Sequence, residues 1–180
     1  MDVRGQKGFT LIELITVMVV LGTLSVTAAP VFLDVASEAN IAKTINTMTA
    51  FQRGLHLLHI KKVVSGKDTV TIDTVDIQFT DEGWPVGSAK NSAGCAELWN
   101  AAMEGSEDIN VVNNFSSKLQ PGWNTYSHLD VCAYINSQGD VAVAENEAPH
   151  FVYFIEDTTF KGRKLNYDGK AGDVILYEVD

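Results

Sequence analysis

Lys7-Gly8-Phe9-Thr10-Leu11-Ile12-Glu13-Leu14-Ile15 opens an almost unbroken apolar run that continues to Ala29 and Pro30. Phe9 to Ala29 spans 21 residues, and at about 1.5 Å each a helix of that length crosses a hydrocarbon core of about 30 Å. Ahead of it, residues 1–8 are short and polar, with Arg4 and Lys7 against Asp2, the flank expected on the cytoplasmic side of a membrane. An ordinary secretory signal has a shorter apolar region, about 7–15 residues, before a small-residue cleavage site, which Thr27-Ala28-Ala29 could imitate. Three readings compete for this stretch: a cleaved secretory signal, a simple membrane anchor, or the assembly helix of a fibre whose subunits are drawn from the membrane.

Glu13 bears on the choice. An acid inside a membrane segment costs about 2.5–3.5 kcal/mol at the bilayer centre and less near an end, and such residues are usually paired and functional. No Lys or Arg lies between Lys7 and Lys43, so the segment offers Glu13 no cationic side chain. A cut after Gly8 would create an α-amine at Phe9, one helical turn before Glu13 and at the same depth in a neighbouring copy. The missing cation would then be a chain terminus.

These residues carry a family resemblance. Lys7-Gly8-Phe9-Thr10-Leu11-Ile12-Glu13 resembles the class III signal of type IV pilins and of type II secretion pseudopilins. The resemblance implies cleavage between Gly8 and Phe9 by a membrane prepilin peptidase, N-methylation of Phe9, and recruitment to a growing filament through Glu13. It also implies a proline in the helix at the position of Pro30. Independently of family, Pro30 removes a backbone donor and clashes with the carbonyl of Val26, costing about 3 kcal/mol. Gly22, Thr23, Ser25 and Thr27 before it are mediocre helix formers, so a helix kink is expected at Pro30.

The bulk composition agrees with a soluble domain joined to an apolar helix. At 180 residues the chain has room for one core, and 46% apolar with 20% charged residues is an ordinary globular balance. Thirteen Lys and Arg against 23 Asp and Glu give a net charge of −10, which argues against nucleic acid as a primary ligand. Loss of residues 1–8 would leave −11. Cys95 and Cys132 both lie beyond the apolar run, and export would carry them to an oxidising compartment, where a disulfide is the expected state. Its loop of about 38 residues would add about 4 kcal/mol of stability. Two buried free thiols are the alternative. Neither cysteine stands in a CxxC or a zinc-ligand spacing, so no metal and no cofactor are expected.

From Val31 to Lys62 the apolar residues take on helical spacing, with Ile41, Ile45, Met48, Phe51, Leu55 and Leu58 in one stripe. One long helix is expected, apolar all round in its first half and amphipathic in its second, weakened slightly at Gly54 and stopped at Ser65-Gly66. His56 and His59, at i and i+3, could share a metal, though packing against the head or the solvent edge explains them as well. His128 and His150 are isolated, and no nucleophile or paired-carboxylate pattern suggests an enzyme. Thr69–Ile72 and Asp76–Thr80 read as short strands or extended loop, strands are expected over Val131–Asn136, Val141–Ala144, Phe151–Glu156 and Val174–Val179, and a short helix over Ala93–Met103. Asn110–His128 reads as loop and Tyr167-Asp168-Gly169 as a turn. The expected class is α+β, with the long helix packed on an antiparallel sheet, and the resemblance implies that this is a type IV pilin fold.

The segment Asp81-Glu82-Gly83-Trp84-Pro85-Val86-Gly87-Ser88, followed by Cys95 and by Leu98-Trp99-Asn100, is similar to pilins of the mannose-sensitive haemagglutinin type, as is Cys132-Ala133-Tyr134. Trp84, Trp99 and Trp123 could stack on a sugar, but core packing accounts for them too. Asp168 and Asp173 could hold calcium, although two carboxylates are few for a site. The organisation expected is a leader at 1–8, a transmembrane and assembly helix at 9–30, and a periplasmic, later extracellular, head at 31–180. Partners implied by the resemblance are other copies or other pilins in a filament, prepilin peptidase, the inner-membrane assembly machinery and the inner membrane itself. A type II secretion pseudopilin and an uncleaved, membrane-anchored adhesin are the alternatives.

Overall fold

The computed structural model describes residues 9–161 and 166–177; inside the first helix, the side chains at 27–34, 36 and 37 lie outside the described residues. The chain forms two compact units, Met1–Ala39 and Asn40–Asp180.

Helix α1, Leu11–Ser65, runs through both units, as the periodicity predicts. In the first unit its described apolar side chains, from Leu11 to Val26, are exposed. Among the described residues no helix is long and apolar enough to cross a membrane. The span expected over 9–30 runs past Val26 into side chains outside the described residues. The backbone stays helical through Pro30, whose side chain is also outside the description.

In the second unit α1 buries one face. Phe51, Leu55 and Leu58 are buried as expected, but Ile45 is exposed. Thr44 is buried instead, and its hydroxyl donates to the Asn40 carbonyl (2.9 Å), which removes the cost of burying it. The helix ends at Gly66, whose φ of 65° is left-handed, with its N–H donating to the Lys62 carbonyl (2.9 Å).

Three sheets follow among the described residues. Strands β1 (Thr69–Ile72), β2 (Val75–Phe79) and β3 (Pro85–Gly87) form an antiparallel meander. Helix α2, Ser92–Ala102, begins at Asn91, whose side chain caps the Gly94 N–H (2.9 Å). Next come β4 (Ile109–Val112), β5 (Gly122–His128), β6 (Val131–Ser137), β7 (His150–Phe154), β8 (Thr158–Lys161), β9 (Asn166–Gly169) and β10 (Val174–Tyr177). The main sheet has the order β10-β7-β6-β5-β4, and β8 pairs with β9 as a separate ribbon.

The α+β class stands, with four corrections. The sheet is mixed, because β4 pairs with β5 in parallel. The expected loop Asn110–His128 contains most of β4 and all of β5. Within β5 Asn124 is buried, donates to the carbonyls of Gln120 (2.7 Å) and Gly122 (2.9 Å), and accepts from the Gln120 N–H (2.8 Å). Val141–Ala144 is not a strand. After Ser137 the chain turns back toward residues 117–119, with the Leu119 N–H donating to the Val141 carbonyl (2.8 Å), and enters a short 3-10 turn, Val143–Glu145. Tyr167-Asp168-Gly169 is strand β9 rather than a turn, held by the β8 register Thr159 opposite Asp168 and Phe160 opposite Tyr167.

The core lies between α1, α2 and the main sheet. Phe51 sits against Tyr134 (ring centroids 4.7 Å), Phe151 (5.7 Å) and Trp99 (6.3 Å). The buried hydroxyls of this aromatic group are satisfied: Tyr134 donates to the Cys95 carbonyl (2.8 Å) and Tyr153 to that of Pro85 (2.9 Å). Gly54 is where α2 crosses α1, since a Cβ there would lie 1.9 Å from the Ala102 carbonyl oxygen.

Candidate functional site

The candidate site is the start of α1. Gly8 lies outside the described residues, and Phe9 is exposed immediately before the helix. Thr10 is the residue before the first helical position, and its hydroxyl accepts from the Glu13 N–H (3.3 Å). The Glu13 carboxylate in turn reaches back, its Oε2 accepting from the Thr10 N–H (2.9 Å) and the Thr10 hydroxyl (2.7 Å). This reciprocal pair is a capping box, with Thr at the cap and Glu three residues on, and it satisfies donors that a helix start leaves open. The negative charge also lies in the first turn, where the helix dipole favours it.

Thr10 is a residue the sequence reading passed over, though the Thr-x-x-Glu spacing was there to be read. It alters the account of Glu13. In the isolated chain the carboxylate has no cation among the described residues, but it does have two donors of its own, both on Oε2. A carboxylate has room for several donors, so a neighbour's amine could still be accommodated. Thr16 and Ser25 further along bond back to the carbonyls of Ile12 (2.9 Å) and Leu21 (2.7 Å), so their hydroxyls do not confront the apolar surroundings unpaired.

The other expected residues are distributed as follows. Cys95 on α2 and Cys132 on β6 form a disulfide, with Cα atoms 5.7 Å apart. His59 stacks on Trp84 (4.4 Å) and its Nδ1 lies 2.8 Å from the Gly83 carbonyl oxygen, while His56 is 5.8 Å from the same indole. Both histidines therefore pack around the Gly83-Trp84 turn. Trp99 and Trp123 are buried 4.9 Å apart, leaving no free indole face to a sugar, whereas Trp84 is half-buried. Asp168 accepts from the Thr159 hydroxyl (2.8 Å) and Asp173 from the Lys170 N–H (2.9 Å), so each carboxylate serves a local turn or ribbon. Among the described residues no group of three His, Cys, Asp or Glu could hold a metal ion.

The family comparison falls on the same end of the chain. Residues 3–29 match the family model described as the prokaryotic N-terminal methylation motif. Two proteins from Pseudomonas aeruginosa, each named "Fimbrial protein", are 32% identical to the chain over 93 residues. That match takes in 49% of this chain and 58% of each relative, so the chain spans little more than half the length of the curated relatives it matches. No solved structure matches.

Proposed function

We propose that the chain is a structural subunit of a type IV pilus, made as a precursor with a leader at residues 1–8. Prepilin peptidase cleaves between Gly8 and Phe9 and methylates the new Phe9 amine. Segment 9–30 holds the subunit in the inner membrane, and residues 31–180 stand in the periplasm. The inner-membrane machinery then packs segment 9–30 against other copies or other pilins, and the head reaches the cell surface, where it supports attachment. Its work is association rather than catalysis. The turn at Asp81–Ser88 running into Cys95 supports a relation to the mannose-sensitive haemagglutinin type, and the fimbrial relatives favour a pilus over a secretion pseudopilus.

The observation that carries this reading is the single acid, Glu13, at the capped start of an otherwise apolar and exposed helical segment. Before cleavage its charge is held by Thr10 in its own chain. Cleavage places a cation next to that carboxylate, in its own chain and in a neighbour.

Mass spectrometry of filaments sheared from cells tests the proposal, with methylated Phe9 expected at the N-terminus; an intact leader in filaments refutes it. One variant separates charge from capping. Glu13→Gln keeps a capping-box side chain but loses the charge, so filament yield falls although the head remains folded. Full assembly of that variant would leave Glu13 with a capping role alone.

A further inference from the structure

Charge is unevenly divided along this acidic chain. From Ala39 to Lys67 there is no Asp or Glu, whereas Lys43, Arg53, Lys61, Lys62 and Lys67 all occur there. Lys43 pairs with Glu107 and Lys62 with Asp68, but Arg53 and Lys61 make no ion pair among the described residues. Both are exposed on α1, Arg53 on the side turned away from the core and Lys61 on its flank, and a row of apolar residues shares the outward side. Arg53, Leu57, Ile60 and Val64 step by four, three and four, which places them on one line about half a turn from Phe51, Leu55 and Leu58. Leu57, Ile60 and Val64 are 67%, 55% and 82% exposed. An amphipathic helix is expected to be polar on its outer face, so a greasy ridge flanked by unpaired cations needs a partner to cover it. Beside the ridge a cavity of about 550 Å³ is lined by Thr49, Gln52, Arg53, His56 and Leu57.

The same unit carries a surface of the opposite sign. A cleft of about 390 Å³ is lined by Thr80, Asp81, Glu82, Glu156 and Asp157. Glu156 is bound by Lys90 and Asp157 by Lys170, while Asp81 and Glu82, adjacent on the exposed turn before Trp84, make no ion pair among the described residues.

We propose that the Arg53–Val64 ridge of one copy of this chain docks against the Asp81-Glu82 edge of a second copy. The occupant is a second copy because the chain itself presents the complementary surface: two free cations beside an apolar line, and two free acids beside a cleft. The two surfaces are different, so the contact is head-to-tail and leaves one unused surface of each kind at the ends. It propagates, as a filament requires. The inference rests on the reading that copies assemble side by side, and it identifies the head surfaces that meet when they do. Exposed charges at the rim make it salt-sensitive, whereas contacts between apolar helices are not.

Charge reversal in the full-length chain, expressed in cells and read as the amount of sheared filament, tests the pairing. Arg53→Glu with Lys61→Glu, and separately Asp81→Lys with Glu82→Lys, should each lower filament yield by about tenfold, as like charges then face one another. All four substitutions together restore complementarity and should bring yield back to within about threefold of the unaltered chain. Circular dichroism of each purified variant confirms folding, which these exposed substitutions leave intact. Unchanged yield in both reversals, or a fourfold variant as defective as either pair, overturns the inference while leaving the pilin reading in place. Loss of binding to phosphatidylglycerol vesicles in the ridge reversal, with the cleft reversal assembling normally, also overturns it and assigns the ridge to lipid. Absence of filaments from the unaltered chain overturns the assembly reading itself.

Discussion

At the scale of single residues, Gly54 has a reason for being glycine that helix propensity does not supply. The sequence marks it as a slight weakness in α1, yet a methyl group there would meet the Ala102 carbonyl of α2 at 1.9 Å. Gly54→Ala should therefore destabilise the head by about 1–3 kcal/mol, the usual cost of overpacking, despite the better helix propensity of alanine. Gly22 is the control, since a Cβ there meets nothing within 4 Å, and Gly22→Ala should be neutral or slightly stabilising. Urea unfolding of the detergent-solubilised chain, followed by tryptophan fluorescence, separates the two. His150 offers a pH prediction. It is buried on β7, with Nδ1 3.0 Å from the Ala148 carbonyl oxygen, Nε2 3.0 Å from the Tyr167 hydroxyl, and Tyr177 stacked at 5.9 Å. Burial lowers its pKa below the ordinary 6.5, outweighing the upward pull of the Ala148 hydrogen bond. The unfolded chain thus binds the proton first, so stability is full above about pH 6.5 and is lost as pH falls below it, until the folded form protonates too. Thermal melts at pH 8 and pH 5 should show a larger drop for the native sequence than for His150→Gln, and equal drops would reject the assignment.

At the scale of elements, what could be read from the sequence was what periodicity writes plainly. The 3.6-residue stripe from Met48 through Phe51 and Leu55 to Leu58, closed by Ser65-Gly66, yields the second half of α1 and its stop. Thr69–Ile72, readable as a short strand or extended loop, is β1. Strands whose polar residues are buried were the ones missed. Trp123-Asn124-Thr125-Tyr126 reads as a polar segment, but all four residues are buried, with Asn124 closing a local turn through its amide. No periodicity signals such a strand, because its polar side chains are buried and Asn124 is satisfied by local backbone groups rather than by water. The ribbon β8–β9 was missed for a different reason. Asp168-Gly169 is a strong turn signal, overridden here by pairing with Thr158 and Thr159 on the partner strand. The candidate site was legible to the extent that its chemistry is local: Gly8, Phe9 and Glu13 fall in one spaced run. Thr10 is equally local, its signal being the Thr-x-x-Glu spacing that closes the helix start.

At the scale of the whole molecule, the head depends on one covalent tie. Cys95 on α2 and Cys132 on β6 join the helix that crosses Gly54 to the centre of the main sheet. The Tyr134 hydroxyl, two residues along β6, binds the Cys95 carbonyl, so covalent bond and buried hydrogen bond hold the same two elements together. Closing a loop with a sequence separation of 37 removes conformations from the unfolded chain while barely constraining the folded one, where the aromatic core already fixes both ends. The loss on reduction should be about 4 kcal/mol, equivalent to a fall of about 2 M in the urea midpoint for a slope of about 2 kcal/mol per M. Urea titration of the full chain with and without dithiothreitol measures it. A midpoint unmoved by reduction would show that the core alone holds α2 on the sheet. The expected fall has a consequence for how the chain is made. In a reducing compartment the head would be left marginal, since the loss approaches the stability of an ordinary domain. The head would then gain its full stability only after residues 95 and 132 had met an oxidising environment, on the far side of the membrane that the apolar segment at 9–30 is proposed to occupy.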